Sequence, residues 1–265
     1  MPSPRPRLVL AASVALVLVA GPAYAGHKQP PPPTSPATYD VSYPQCGRAL
    51  PTPITGGIVG VNDGIVLSGN PCLATEYAWA TGASTYAPAF YANTGNPGPA
   101  YSSHWPVGQT TPQVCDATSP DSSGCAYDYG WNYGQDAFAR ALAVTQTAAA
   151  ATWWLDVETG NSWETLESAY GQTAVAQAND RASIAGAIAA LQSRTVTTIG
   201  VYSTSYQWTQ IMGSSGTQFV AQPAWVAGTG SLTTARTNCS SASFTGGPVT
   251  LTQYAQNAYD ADYHC

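Results

Sequence analysis

The sequence predicts an α/β fold: a single TIM-like barrel, with βα units in its first two-thirds and a strand-rich C-terminal third. Three observations predict it. Short runs of bulky apolar residues alternate with helical patterns up to about Tyr202, the order that builds right-handed βα crossovers. From Ala224 onward, strand patterns follow one another with little helix between them. Residues 39–265 number 227, which suits one α/β barrel.

Taken in order, residues 1–25 read as a signal peptide. Arg5 and Arg7 give a positive start, Leu8 to Ala20 an apolar core, and Ala23-Tyr24-Ala25 a small-x-small cleavage site before Gly26. That core is shorter than the roughly 20 apolar residues of a membrane span, so a released, extracellular product is expected; an uncleaved anchor is the alternative. Residues 26–38 hold Pro30-Pro31-Pro32-Pro33 and read as an extended linker.

Strands are then expected at Tyr39–Ser42, Gly57–Val61 and Tyr86–Tyr91, with a short helix at Cys72–Ala80. Asn93 to Gly130 is rich in Gly, Pro and Ser and reads as one long inserted loop, a length that is usually functional or stapled. A helix over Gly134–Ala150 puts Phe138, Leu142 and Thr145 on one face. The strand Thr152–Val157 follows. Asp180–Ser193 carries Ile184, Ile188 and Leu191 at helical spacing. The last strands are Thr198–Tyr202, Ala224–Ala227 and Val249–Tyr254.

Six cysteines (Cys46, Cys72, Cys115, Cys125, Cys239 and Cys265) all lie beyond the leader. An even count in an exported chain implies three disulfides, with fifteen connectivities open. Pairing neighbours would join Cys46 to Cys72, Cys115 to Cys125 and Cys239 to Cys265. Zinc fits poorly, because no Cys-x-x-Cys occurs and the chain has only 3 His. No metal and no cofactor is expected.

Beyond residue 25 the chain holds six Lys/Arg against fourteen Asp/Glu, a net charge of −8. Such a surface repels nucleic acid and anionic lipid, so neither is an expected partner. Charged residues are only 8% of the chain, whereas 16 Tyr and 8 Trp provide many rings. That mix suits an extracellular protein whose rings stack on sugar faces.

One stretch concentrates chemistry. Thr152-Trp153-Trp154-Leu155-Asp156-Val157-Glu158 is an apolar strand ending in two carboxylates two residues apart. Strand side chains alternate, so Asp156 and Glu158 share a face, roughly 6.5–7 Å apart along the backbone. Two carboxyls side by side push their proton affinities apart, which acid–base catalysis uses. The competing reading is a strand end reaching solvent, with Asp156 capping a loop. Asp40 lies in the first strand, while Asp260 and Asp262 follow the last. Active sites of βα barrels collect at the carboxyl ends of strands. Asp116, Asp121 and Asp128 lie in the inserted loop and read as turn residues, a calcium site being the alternative. Glu76, Glu164 and Glu167 fall on helical patterns and read as solvated faces. Trp153 and Trp154 read as core; Trp131, Trp163, Trp208 and Trp225 are the candidates for a binding groove. The chain has no Gly-x-Ser-x-Gly elbow and no phosphate or dinucleotide loop. His27, His104 and His264 sit where none serves an evident nucleophile.

In this order, Asp40-Val41-Ser42, Asp156-Val157-Glu158 and Gln253-Tyr254 with Asp260-Ala261-Asp262 resemble glycoside hydrolase family 25, the secreted lysozymes or N-acetylmuramidases. Val201-Tyr202-Ser203-Thr204 and Trp225-Val226-Ala227 are similar to two further strands of that family. The Trp153–Trp163 block, Cys125-Ala126-Tyr127-Asp128-Tyr129-Gly130-Trp131-Asn132 and the Cys265 tail resemble more closely a group of secreted bacterial family-25-like proteins. The resemblance implies a hydrolase of cell-wall polysaccharide, peptidoglycan first, acting as a monomer. Glu158 takes the place of the general acid and Asp156 of the supporting carboxylate. Asp40 and Asp260 match the two further acids of the pocket, Asp262 standing at the family's Asn. Tyr91, Asn93, Tyr202, Trp225, Gln253 and Tyr254 are the implied substrate-binding residues. Tyr91 to Pro97 departs from the family's Tyr-His-Phe type segment, and the Asn93–Gly130 insertion has no counterpart in its compact members. A non-catalytic glycan-binding or interaction protein on this fold, or a hydrolase of another polysaccharide, are the other functions consistent with the chain.

Overall fold

The structure, a computed structural model, describes residues 35–213 and 216–265. The expected signal peptide and most of the linker lie outside the described residues. Eight strands close into one barrel: β1 (Thr38–Val41), β2 (Gly56–Gly60), β3 (Ala89–Asn93), β4 (Trp153–Asp156), β5 (Ile199–Ser203), β6 (Ala224–Thr229), β7 (Val249–Gln256) and β8 (Tyr259–His264). The first seven pair in parallel in sequence order. β8 runs antiparallel to both β7 and β1 and completes the ring.

β8 is the element the strand patterns do not predict. Its sequence, Tyr-Asp-Ala-Asp-Tyr-His, puts two acids on the face that turns inward, so it lacks the apolar alternation of a half-buried strand. A two-residue turn, Asn257-Ala258, joins it to β7. Asn257 has φ 58°, in the left-handed region that Asn tolerates better than most residues.

Five helices pack outside: α1 (Leu73–Ala80), α2 (Ser123–Leu142), α3 (Ala174–Ser193), α4 (Ser205–Met212) and α5 (Leu232–Asn238). α2 starts eleven residues before the expected Gly134, because the Ser122 hydroxyl accepts the Cys125 N–H and caps it. The inserted loop is therefore shorter than expected and ends where this helix begins. Thr173 caps α3 in the same way, through the Ala176 N–H. α2 and α3 cross at backbone distance: a Cβ on Gly130 would lie 1.8 Å from the Ser183 carbonyl, and one on Gly186 would lie 2.0 Å from that of Tyr127. The short α4 and α5 are too brief to show a period, but each has a capping residue, Thr204 and Ser231. β3 starts at Ala89 rather than Tyr86, whose ring instead stacks on His264 at 3.5 Å.

Alternation divides the core into two layers. Phe90, Trp153, Leu155, Val157 and Val201 face outward and are buried against Ile184 and Leu191 of α3 and their neighbours. Ile58, Ala89, Trp154, Trp225 and Leu251 fill the barrel interior, with Tyr91 and Tyr202 above them. Each such large side chain contributes about 1.5–3 kcal/mol on burial. The two adjacent tryptophans thus serve the two layers.

All six cysteines pair as neighbours in sequence: Cys46–Cys72, Cys115–Cys125 and Cys239–Cys265. The last ties the end of β8 to the end of α5. Among the described residues, no helix is long and apolar enough to cross a membrane.

Candidate active site

Above the apolar filling, at the carboxyl ends of the parallel strands, lies a pocket of about 160 Å³. Asp40, Tyr91, Asp156, Glu158, Tyr202, Trp225, Gln253 and Asp260 line it. The strand period puts them there. Trp154, Asp156 and Glu158 alternate inward along β4 and its extension, while Trp153, Leu155 and Val157 pack outward. Because β8 runs the other way, its early residue Asp260 lies at this mouth, paired with Asp40; Asp262 is one step deeper, opposite Thr38.

Asp156 is held on several sides. The Asn93 amide donates to its Oδ2 at 2.7 Å, and the Asn93 N–H is itself held by Asn62 Oδ1 at 3.0 Å. Its main-chain carbonyl accepts from the Thr94 hydroxyl and, at 3.0 Å, from the Asn161 amide. Its other carboxyl oxygen, Oδ1, is buried and has no partner. Glu158 is half-buried and more open. The Trp163 indole donates to its carbonyl at 2.8 Å, and the Gln207 amide approaches its Oε1 at 3.4 Å. Across the pocket, Tyr202 donates to Gln253 Oε1 at 2.9 Å, and the Gln253 amide donates to Asp40 Oδ2 at 3.1 Å.

No cation balances these acids. The single ion pair among the described residues, Arg140–Asp136, lies on α2. Protons must do that work instead. Burial, reinforced by the charge of Asp260, pushes Asp40 up to about 8. Burial and then the neighbouring Glu158 charge hold Asp156 well above the usual carboxylate range. Burial raises Asp260 as well. Asp262 is driven up by burial and by Asp40, with the Trp225 indole beside it. Such a site retains protons near neutrality and has oxygens free to exchange them.

The four acids singled out by sequence thus meet in one pocket, with Tyr91, Tyr202, Trp225 and Gln253. Two implied binding residues behave differently. Tyr254 faces away from the pocket and is buried in the outer core with Tyr39, because Gln253 takes the inward position of β7. Asn93 is not on the pocket wall; it anchors Asp156 from behind. Trp163 and Trp208 are core rather than groove, the latter against Phe219 and Phe244. Trp131 is half-buried on α2, and only Trp225 of the four reaches the pocket.

Two glutamates read as solvated are buried. Glu76 accepts from the Asn70 amide at 2.6 Å, which also donates to the Gly60 carbonyl. Glu164 is fully buried and accepts from the Asn179 amide at 2.9 Å. In both, the partner is an asparagine outside the glutamate's own helical turn, Asn70 ahead of α1 and Asn179 on α3, so the local period carries no sign of burial. Asp116, Asp121 and Asp128 are separated, each accepting from a different partner: the Thr118 N–H, the Asn179 amide on α3 and the Gln113 N–H. Asn62, Asn161 and Gln207, which steady the catalytic-type carboxyls, were not singled out: they sit on loops and on α4, where only the tertiary fold brings them near β4.

The sequence matches no protein-family model and no curated protein. The fold does have solved counterparts. It superposes on a muramidase from Trichobolus zukalii with a TM-score of 0.51 and 15% identity, covering 87% of this chain and 94% of that one. A muramidase from Acremonium alcalophilum gives 0.51 at 16% identity, with the same coverage. A bacterial lysozyme from Streptomyces coelicolor gives 0.51 at 15%, over 88% of this chain and 93% of the other. At such identities the likeness is one of fold, the barrel that those muramidases and that lysozyme share.

Proposed function

We propose that the chain is a secreted glycoside hydrolase of lysozyme type that cleaves glycosidic bonds in cell-wall peptidoglycan. The observation that carries this reading is the meeting of Asp40, Asp156, Glu158 and Asp260, drawn from three distant parts of the sequence, in one open pocket. The fold it shares with proteins described as muramidases and a lysozyme supports the same substrate class.

In this mechanism burial keeps a proton on Asp156 beyond the usual carboxylate range, and that proton passes to the neighbouring Glu158. Glu158, the more open partner, donates it to the departing glycosidic oxygen. Asp156, oriented by Asn93, then faces the developing positive charge at the anomeric carbon with its unpartnered oxygen, or orients a substrate amide that attacks internally. Asp40 and Asp260 line the far side of the pocket. Tyr91, Tyr202 and Trp225 form a ring cluster, with Tyr202 edge-on to Trp225 at 4.5 Å, on which a sugar face packs. Export by cleavage before Gly26 belongs to the same proposal and is read by N-terminal sequencing of the secreted protein.

The test incubates wild type and Glu158→Gln with purified peptidoglycan and with other wall polysaccharides, and measures new reducing ends. Release from peptidoglycan by wild type alone supports the proposal. Equal release by both proteins removes Glu158 as the acid. Binding without release by either leaves a glycan-binding protein instead.

A further inference from the structure

We propose that the inserted loop builds a second glycan-binding groove beside the catalytic pocket, which holds neutral N-acetylated sugar units flanking the bond to be cut. It rests on the glycoside reading above and names where the rest of the polymer lies. A groove of about 620 Å³ opens between the loop after β2, residues 94–104 and the loop after β4. All three leave the carboxyl ends of strands, the end that carries Glu158. The catalytic pocket, at about 160 Å³, is smaller than the roughly 300–1,000 Å³ of ordinary ligand sites, so a polymer must continue outside it. The two cavities share a partition. Thr94 and Asn161 line the groove, and both donate to the main-chain carbonyl of Asp156.

The lining selects a chemistry. Tyr101 stands 50% exposed at one side and Ile65 67% exposed at the other, surfaces for a sugar face and an acetyl methyl. Ser102, His104 and Asn161 offer hydrogen bonds to hydroxyls and amides. No Lys or Arg lines the groove, and Asp63 is its one acid, so phosphate-bearing or carboxylate-rich polymers are disfavoured.

The walls are also fixed in place. The Ser183 hydroxyl donates to the Gly95 carbonyl at 2.8 Å, and the buried Asn96 amide to Asp180 at 2.8 Å. The Ala100 N–H reaches the Tyr170 hydroxyl at 3.1 Å, and the Trp105 indole the Pro120 carbonyl at 2.7 Å. The Cys115–Cys125 bond closes the loop behind them. A site ordered before binding loses little entropy when it is filled.

Binding of N-acetylglucosamine oligomers of two and of six units to Glu158→Gln tests this without turnover. The longer oligomer is expected to bind at least tenfold tighter. Adding Tyr101→Ala or Ile65→Ser is expected to erase most of that gain, with Tyr101→Phe retaining it, while two-unit binding and the melting temperature stay unchanged. Equal affinity for both lengths overturns the groove, as does a Tyr101→Ala loss that is the same for both. A gain only for peptide-bearing wall fragments overturns the sugar assignment in favour of peptide. Length-dependent binding with no cleavage by wild type sinks the hydrolase reading and leaves the groove standing. Cleavage by wild type with no length dependence does the reverse.

Discussion

Two nests of buried acid occupy this protein, and they are built to opposite ends. At the barrel mouth, Asp40, Asp156, Glu158 and Asp260 surround a cavity. At α3, Asp180 and Glu164 are buried more deeply than those four, and burial pushes them up to about 7 and about 8. The difference lies in the cavity that the mouth acids line and in how the others are tied into the fold. Asp180 accepts from the Asn96 amide, the Glu164 and Thr165 N–H groups and the Thr165 hydroxyl, while Asn179 bridges Glu164 to Asp121. That nest ties both ends of the inserted loop to α3, although Glu164 Oε1 and Asn96 Oδ1 are left without a partner. The mouth leaves Asp156 Oδ1 without a partner and keeps Glu158 half open. A raised proton affinity by itself does not mark a catalytic site; an acid that is raised, under-partnered and next to open space does.

That contrast can be broken first at Glu158. Glu158→Gln is expected to lower the release of reducing ends by about 10²–10⁴-fold, the usual contribution of a general acid, with the melting temperature unchanged. Asp180→Ala is expected to do the opposite. It strands several buried donors and costs about 3 kcal/mol of stability, with turnover per folded molecule kept. For a domain of this size that lowers the melting temperature by roughly 6–12 °C, read by calorimetry beside a specific-activity assay. A large loss of activity without a loss of stability would make the α3 nest part of the chemistry.

Asn93→Ala touches only the orientation of Asp156. A drop of about tenfold in kcat, with KM little changed, is expected from removing a bond to a carboxylate. The smallest effect is the response to pH. Asp180 and Glu164 hold protons more tightly folded than unfolded, so their contribution is complete below about 3.8, declines above that, and is lost once pH has risen through about 7 and about 8. Melting temperature is therefore expected to fall between about pH 4 and pH 8, and Glu164→Gln to flatten the upper part of that fall. The same substitution should leave the alkaline limb of activity in place, because that limb belongs to the mouth, where Asp40 is raised to about 8. A shift of both together would mean that the nests are coupled.

Much of the mouth was legible in the chain because its signals are local. The run from Trp153 to Glu158 carries its own period, so the inward face could be read from six residues. Neighbouring cysteines paired as their spacing suggested. The α3 nest was not legible. Nothing around Glu164 distinguishes it from the half-buried Glu167; its partner Asn179 lies fifteen residues on, and Asn96 reaches Asp180 from eighty-four residues away. Tyr254 was misplaced for a related reason. Which of two adjacent residues faces inward depends on the register of β7, and the neighbouring strand β8 was unseen.

By itself, then, the sequence determined the fold class, the inward stripe of β4 and the identity of the acids, since strand period and side-chain chemistry travel with the residues. Closure through an antiparallel β8, the outward turn of Tyr254, and the second groove over the inserted loop were decided only in three dimensions. Each depends on which distant strand or loop stands next to which. Burial and hydrogen-bond satisfaction settle that once the whole barrel has closed.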